Sequence, residues 1–288
     1  MNQKEHLEHK KNVRALVITG FGINCEQEMA AAYHLAGASP EIVHLNDVLE
    51  GKISIHDYDI LNFPGGFSFG DDLGSGKVLA NKIRFKAMAN GKLFFDALKE
   101  FLADGKYILG VCNGFQALVK AGLLPNVWGK FDQEVTLATN DSGKFEDRWS
   151  VLKKNPDSSS PFLKNIDLMN LPVRHGEGKL IITDELTRTE IVRQSLNCMS
   201  YADGFGKPTP EYPFNPNGSV LNCAALTDPT GRIFGIMPHP EAFLSIYNHP
   251  DWPRLKRENP DLPEQGEGVT IFTNIVQAII SGKKSYEP

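Results

Sequence analysis

Residues 108–116 read ILGVCNGFQ, a cysteine set between two glycines at the end of an apolar run. Gly110 and Gly114 flank Cys112 at i−2 and i+2, the G-x-nucleophile-x-G spacing of a nucleophile elbow with Cys in place of Ser. Glycine tolerates unusual backbone angles and lets other chain approach closely. A sharp strand-to-helix turn there would push the sulfur out at a sheet edge. The free N–H groups and positive dipole end of the following helix favour a negatively charged sulfur. A thiol nucleophile needs a base, and the base needs a group to orient it. MPHPEAF supplies both, as His239 and Glu241. In extended backbone, residues i and i+2 share a side, and Pro238 and Pro240 stiffen the segment. The third piece is FPGGFSFGDD at 63–72. Its Gly65-Gly66 pair allows a turn that aims N–H groups into the site, and with the N–H of Asn113 it makes a candidate oxyanion hole. GDDLGSGK does not read as a phosphate loop, because Asp71 stands where the first glycine is needed and Val78 replaces Ser or Thr.

These residues need elements to hold them at one edge. Val13–Thr19 is a short β-branched apolar run and predicts a buried strand. Asn24 with Gln27 three residues later resembles a capping box, opening a helix to about Ala36. Glu41–Leu45, Asp59–Phe63 and Tyr107–Val111 predict three further strands. Phe94, Ala97, Leu98 and Phe101 give one apolar helical face, stopped near Gly105. Arg232–Pro238 predicts a buried strand that ends at His239, and Gly268–Gly282 a closing amphipathic helix. From about Trp128 to Ala225, Pro, Gly, Asn and Ser interrupt short runs, which predicts antiparallel strands and long loops. Ala242–Glu267 is polar and proline-rich and predicts an irregular excursion. The expected fold is α/β: an open, mainly parallel sheet with helices on both faces and antiparallel additions in the second half. Ligands of such sheets bind beyond the C-terminal strand ends.

The chain has 288 residues, 41% hydrophobic and 23% charged, with net charge −5. That is ordinary globular composition. Without a long basic run it argues against nucleic acid as a main partner. Residues 1–12 read as a flexible, solvated tail rather than a signal peptide, and 13–288 as a single domain. No apolar run is long enough to span a bilayer. Cys25, Cys112, Cys198 and Cys223 form no C-x-x-C, which fits a reducing cytoplasm. Cys25 reads as structural, in a loop near the site. His34, His44 and His56 lack metal-ligand spacing, His6 and His9 lie in the tail, and no metal is expected. The residues alone reach a Cys–His–Glu hydrolase or transferase on an open α/β sheet.

PGGFSFGD, GVCNGFQALVKAGLLP, HGEGKL, NPNGS and MPHPE, in this order, resemble a class I glutamine amidotransferase, of flavodoxin-like fold. More narrowly, they are similar to the glutaminase components of phosphoribosylformylglycinamidine synthases of purine synthesis, over about Val13–Glu241. The resemblance implies that Cys112 attacks the glutamine amide to form a γ-glutamyl thioester, that His239 moves the protons, and that Glu241 orients His239. Gly66 and Asn113 would bind the oxyanion. Gly65, Phe67 and Gln116 would contact glutamine, and His175 and Glu177 would play a supporting or interface role. It implies no cofactor in this chain. ATP and Mg are expected on a separate synthetase that receives the ammonia, and a small bridging subunit is a possible further partner. Ala242 departs from the Arg common after H-P-E in the family. Two alternatives remain at this stage: a stand-alone cysteine hydrolase (peptidase or γ-glutamyl hydrolase) on the same fold, and a non-catalytic regulatory subunit.

Overall fold

The computed structural model describes residues 13–284. The expected tail at 1–12 lies outside the described residues. Four strands in the first half alternate with helices: β1 (Arg14–Thr19), β2 (Ser39–His44), β3 (Ile60–Phe63) and β4 (Tyr107–Val111). The second half adds β5 (Thr136–Thr139), β6 (Glu146–Lys154), β7 (Leu168–His175), β8 (Glu177–Ile181), β9 (Asn197–Ala202), β10 (Cys223–Thr227) and β11 (Ile233–Ile236). Nine of them form one sheet in the order β2-β1-β3-β4-β11-β10-β9-β6-β7, and β5 pairs with β8 separately. The pairs β2–β1, β1–β3, β3–β4 and β4–β11 are parallel, and every pairing beyond β11 is antiparallel. Pro40 sits in β2, at the sheet edge, where a missing N–H costs no ladder bond.

The inner parallel strands β1, β3, β4 and β11 are buried along nearly their whole length, because helices cover both faces, whereas the edge strand β2 buries only Val43. The helices are α1 (Glu26–Leu35), α2 (Leu45–Leu49), α3 (Lys77–Phe85), α4 (Phe94–Ala103), α5 (Asn113–Lys120), α6 (Glu185–Arg193), α7 (Trp252–Glu258) and α8 (Val269–Lys284). Neighbouring residues on a strand point to opposite faces. Asn62 accepts from Tyr33 Oη of α1 at 2.6 Å, while Phe63 packs under Gly114 of α5. So α1 and α5 lie on opposite faces. The Tyr33 and Phe272 rings meet edge-on at 5.0 Å and join α1 to α8, and α3 packs on α4 and α5.

Three local expectations change. Asn24 and Gln27 form no capping box; Cys25 is the N-cap of α1 and makes no side-chain cap bond, and Asn24 Oδ1 instead accepts from the Cys25 thiol. Two helices fall within stretches read without them. In α6, the Asp184 carboxylate caps the Thr187 N–H at 2.8 Å. In α7, within the excursion at 242–267, Pro253 sits in the first turn and Arg254 pairs with Glu258 one turn on. Finally, α3 follows a glycine-rich run whose turns hide its start: Gly76 caps it with φ +71.

Packing of α5 onto the sheet depends on missing side chains. A Cβ at Gly114 would lie 1.8 Å from the Phe63 carbonyl oxygen, and one at Gly110 would lie 2.6 Å from Leu118 Cδ1. A Cβ at Gly235, level with Gly110 on the next strand, would lie 2.1 Å from the Phe115 ring. Gly114→Ala is expected to destabilise the fold by about 3 kcal/mol, because the clash is with backbone that cannot step aside. A shift of the urea midpoint with unchanged slope would show it.

Candidate active site

Adjacent parallel strands deliver the three pieces to one edge. Phe63 pairs with Gly110, and Val111 pairs with Ile236. The chain beyond β3, β4 and β11 therefore emerges side by side, carrying Gly65-Gly66, Cys112 and His239. The Cys112 N–H donates to the Ile236 carbonyl at 2.8 Å, and the His239 N–H to the Pro172 carbonyl, also at 2.8 Å.

Cys112 itself carries the elbow strain. Its φ is +49 and its ψ −105, outside the regions L-residues prefer. The flanking glycines have no positive φ; their part is to make room. The thiol lies over β7 and donates to the Arg174 carbonyl at 3.6 Å. The Asn113 N–H opens α5. Neither it nor the Gly66 N–H meets a protein acceptor among the described residues. Gly66 has φ +138, and a Cβ there would lie 2.4 Å from the Gly22 carbonyl oxygen. Phe67 and Phe69 donate their N–H groups to Gly22 and Phe21, both at 2.7 Å, which pins the loop.

His239 and Glu241 are both buried. His239 Nδ1 lies 2.6 Å from Glu241 Oε1. The expected extended backbone is absent: Pro240–Ala242 form a 3-10 turn with His239 as its N-cap. The i, i+2 contact survives because the turn curls the carboxylate back to the ring. Burial alone would lower the His239 pKa, but Glu241 and then the Cys112 sulfur more than offset it and hold the imidazole well above the ordinary histidine range. Nε2 is buried and meets no hydrogen-bond partner among the described residues. Gly65 admits the ring, since a Cβ there would lie 2.7 Å from His239 Cε1.

The sequence predicts Cys25 to be a structural cysteine in a loop near the site, and the loop does lie there. The structure brings its half-buried thiol 4.0 Å from His239 Nδ1. The local sequence does not signal the contact of the thiol with His239, because the bridge between Ile23 and Gly66 that sets it there joins distant segments.

Gln116 is buried, and its amide is engaged at both ends. Oε1 accepts from Asn113 Nδ2 at 3.0 Å, and Nε2 donates to the Glu177 carbonyl. One lone pair and one N–H remain for another partner. Asn113 also binds the Ser68 N–H at 3.0 Å and the Asp71 carboxylate, so α5 is stitched to the 63–76 loop. The Glu177 carboxylate accepts from the Ser75 N–H at 3.1 Å and pairs with Lys120 at 3.5 Å. Phe67 is 47% exposed and leans on Phe145 across 6.2 Å, at the mouth of the site.

His175 is buried inside the chain and not on an outer surface. Its Nδ1 meets Asn140 Oδ1 at 3.2 Å, and its ring fills the space left by Gly178. Asn140 also donates to the His175 carbonyl at 2.8 Å. Asn217 and Ser219, from NPNGS, continue the network to Tyr201 and Leu180. Gly178 and Ser219 of the two motifs lie 41 residues apart in sequence, and only the fold joins them. Burial first, and then His239, push the His175 pKa down to about 3.

A family model for the CobB/CobQ-like glutamine amidotransferase domain matches residues 12–277, and this chain belongs to that family. Among curated relatives, it is 42% identical over 265 residues to the phosphoribosylformylglycinamidine synthase subunit PurQ of Dehalococcoides mccartyi, covering 92% of this chain and 97% of that one. It is 43% identical over 272 residues to the same subunit of Methanococcus maripaludis, covering 92% and 96%. Among solved structures, it is similar to a chain of PurLQS from Thermotoga maritima, with TM-score 0.66, 26% identity, and coverage of 93% of this chain and 99% of that one. Among the described residues, no helix is long and apolar enough to cross a membrane.

The buried, uncharged His175 makes the fold acid-sensitive. Between pH 6.5 and about 3 the unfolded chain takes up a proton that the folded chain refuses, so stability falls as pH drops. The expected slope is about 1.4 kcal/mol per pH unit in that window. His175→Asn should flatten it relative to wild type in urea unfolding at stepped pH; parallel curves would refute the assignment.

Proposed function

We infer that this chain is the glutaminase subunit of a phosphoribosylformylglycinamidine synthase, hydrolysing glutamine to glutamate and ammonia. The single observation that carries the chemistry is the meeting of Cys112, His239 and two unoccupied N–H donors at the ends of three neighbouring parallel strands. Family membership and the two subunit relatives support the pathway.

The Cys112 thiolate, formed by proton transfer to His239, attacks the side-chain amide carbon of glutamine. Charge develops on the amide oxygen, and the N–H groups of Gly66 and Asn113 receive it; such donors are worth most in a buried, pre-set site. The imidazolium, held charged by Glu241, gives its proton to the departing ammonia, leaving a γ-glutamyl thioester. His239 then takes a proton from water, hydroxide attacks the thioester carbon, and glutamate leaves as Cys112 regains the proton. Gly65 and Phe67 shape the entrance, and the remaining amide capacity of Gln116 faces the substrate. His175 and Glu177 support the loop and strand that frame the site. Ammonia passes to a separate synthetase that binds ATP and Mg and amidates formylglycinamide ribonucleotide. A small bridging subunit joins that assembly. The chain works in the cytoplasm and engages neither nucleic acid nor membrane. Residues 13–288 act as one amidotransferase domain.

The decisive experiment measures glutamate release from glutamine, with this chain alone and with the synthetase, ATP and formylglycinamide ribonucleotide. Stimulation by the full set, abolished in Cys112→Ala, is expected. No glutamate in either condition would overturn the reading. In the same assay His239→Ala should lose about a hundredfold or more in kcat. Gly66→Ala should lower kcat by about a hundredfold as the oxyanion donor is displaced.

A further inference from the structure

The side of His239 that faces away from the nucleophile holds a second constellation. Cys25 Sγ, His239 Nδ1 and a Glu241 carboxylate oxygen all lie within 4.8 Å of one another. Sulfur, imidazole nitrogen and carboxylate oxygen are the donor set of a three-ligand zinc site with one position left open. Tetrahedral bonding at ordinary zinc distances sets sulfur and nitrogen about 3.5 Å apart, and nitrogen and oxygen about 3.3 Å. Here Sγ···Nδ1 is 4.0 Å and Nδ1···Oε1 is 2.6 Å. Closing the first pair and opening the second each needs less than an ångström, within the range of side-chain adjustment.

A second observation points the same way. Glu241 Oε2 is buried and has no hydrogen-bond partner among the described residues, so the carboxylate brings unused lone pairs to the cluster. Among the described residues, the Cys25 thiol donates, apart from its approach to His239, to its neighbour Asn24 Oδ1 at 3.3 Å. Its partial exposure gives an ion a way in.

We propose that Cys25, His239 and Glu241 form a binding site for a thiophilic divalent cation, Zn2+ being the type. Binding releases the Cys25 thiol proton and the His239 Nδ1 proton to solvent and involves no redox step. The ion then holds the imidazole by the nitrogen that Glu241 otherwise charges, and the imidazole can no longer cycle a proton. Occupation therefore inhibits; that consequence rests on His239 being the base of the proposed reaction, whereas binding does not.

The test uses the full reduced chain, with Zn2+ affinity measured by competition with a chromogenic chelator and Co2+ absorption as a second readout. Cys25→Ser and Glu241→Gln should each weaken Zn2+ about tenfold or more, while Cys112→Ala stays within about twofold of wild type. The thiolate-to-cobalt band should vanish in Cys25→Ser and persist in Cys112→Ala. Equal affinity in wild type and Cys25→Ser, unchanged affinity in Glu241→Gln, or loss in Cys112→Ala would each overturn the site. In the glutaminase assay, Zn2+ should suppress turnover of the wild type. A chain that binds Zn2+ through Cys25 yet turns over at full rate overturns the inhibitory consequence. Absence of turnover without Zn2+ counts against the glutaminase reading and leaves the binding result standing.

Discussion

The molecule turns on one constraint: the helix behind Cys112 must sit almost on the backbone of β3. With 1.8 Å between the Phe63 carbonyl oxygen and any Cβ at Gly114, only glycine allows it. That closeness forces the reversal between β4 and α5 into a single residue. Cys112 takes up the reversal with a positive φ, and the packing around it fixes the geometry. The Cys112 sulfur is thus placed by the core, and the strain at Cys112 is maintained by the close packing of α5 on β3.

The rest of the site follows from strand order. Because β11 lies beside β4 and β3 on its other side, three chain segments far apart in sequence end at one edge. Each brings one part of the proposed chemistry: N–H donors from the loop after β3, Cys112 after β4, His239 after β11. The antiparallel extension then closes over this edge. Its strand β7 places the Arg174 carbonyl at the sulfur and feeds His175 into a buried amide network. A neutral, desolvated His175 near a charged His239 divides two imidazoles into distinct electrostatic roles.

Glu241 serves two ends. It raises the charge on His239, as the proposed reaction requires, and among the described residues it leaves an unsatisfied buried oxygen next to the Cys25 thiol, which that proposed reaction does not use. A site tuned to stabilise an imidazolium is by the same chemistry suited to hold a soft cation, since both are positive charges met by the same carboxylate.

The parallel strands and the elbow were legible in the sequence because they are local patterns: β-branched runs of strand length, and glycines at fixed offsets from a cysteine. Their order of use along the chain, with His239 and Glu241 just after a buried strand, was legible for the same reason. The helices α6 and α7 were masked by polar composition, although the Asp184 cap and the Arg254–Glu258 pair were there to be read. What no local pattern carried was pairing between remote segments. The approach of Cys25 to His239 comes from a bridge between residues 23 and 66, and the joining of HGEGKL to NPNGS comes from the Ser219 hydroxyl donating to the Gly178 carbonyl across 41 residues of sequence. The sequence determined which groups could react. Which of them meet was decided by the strand order and by close contacts at glycine, which depend on the folded whole.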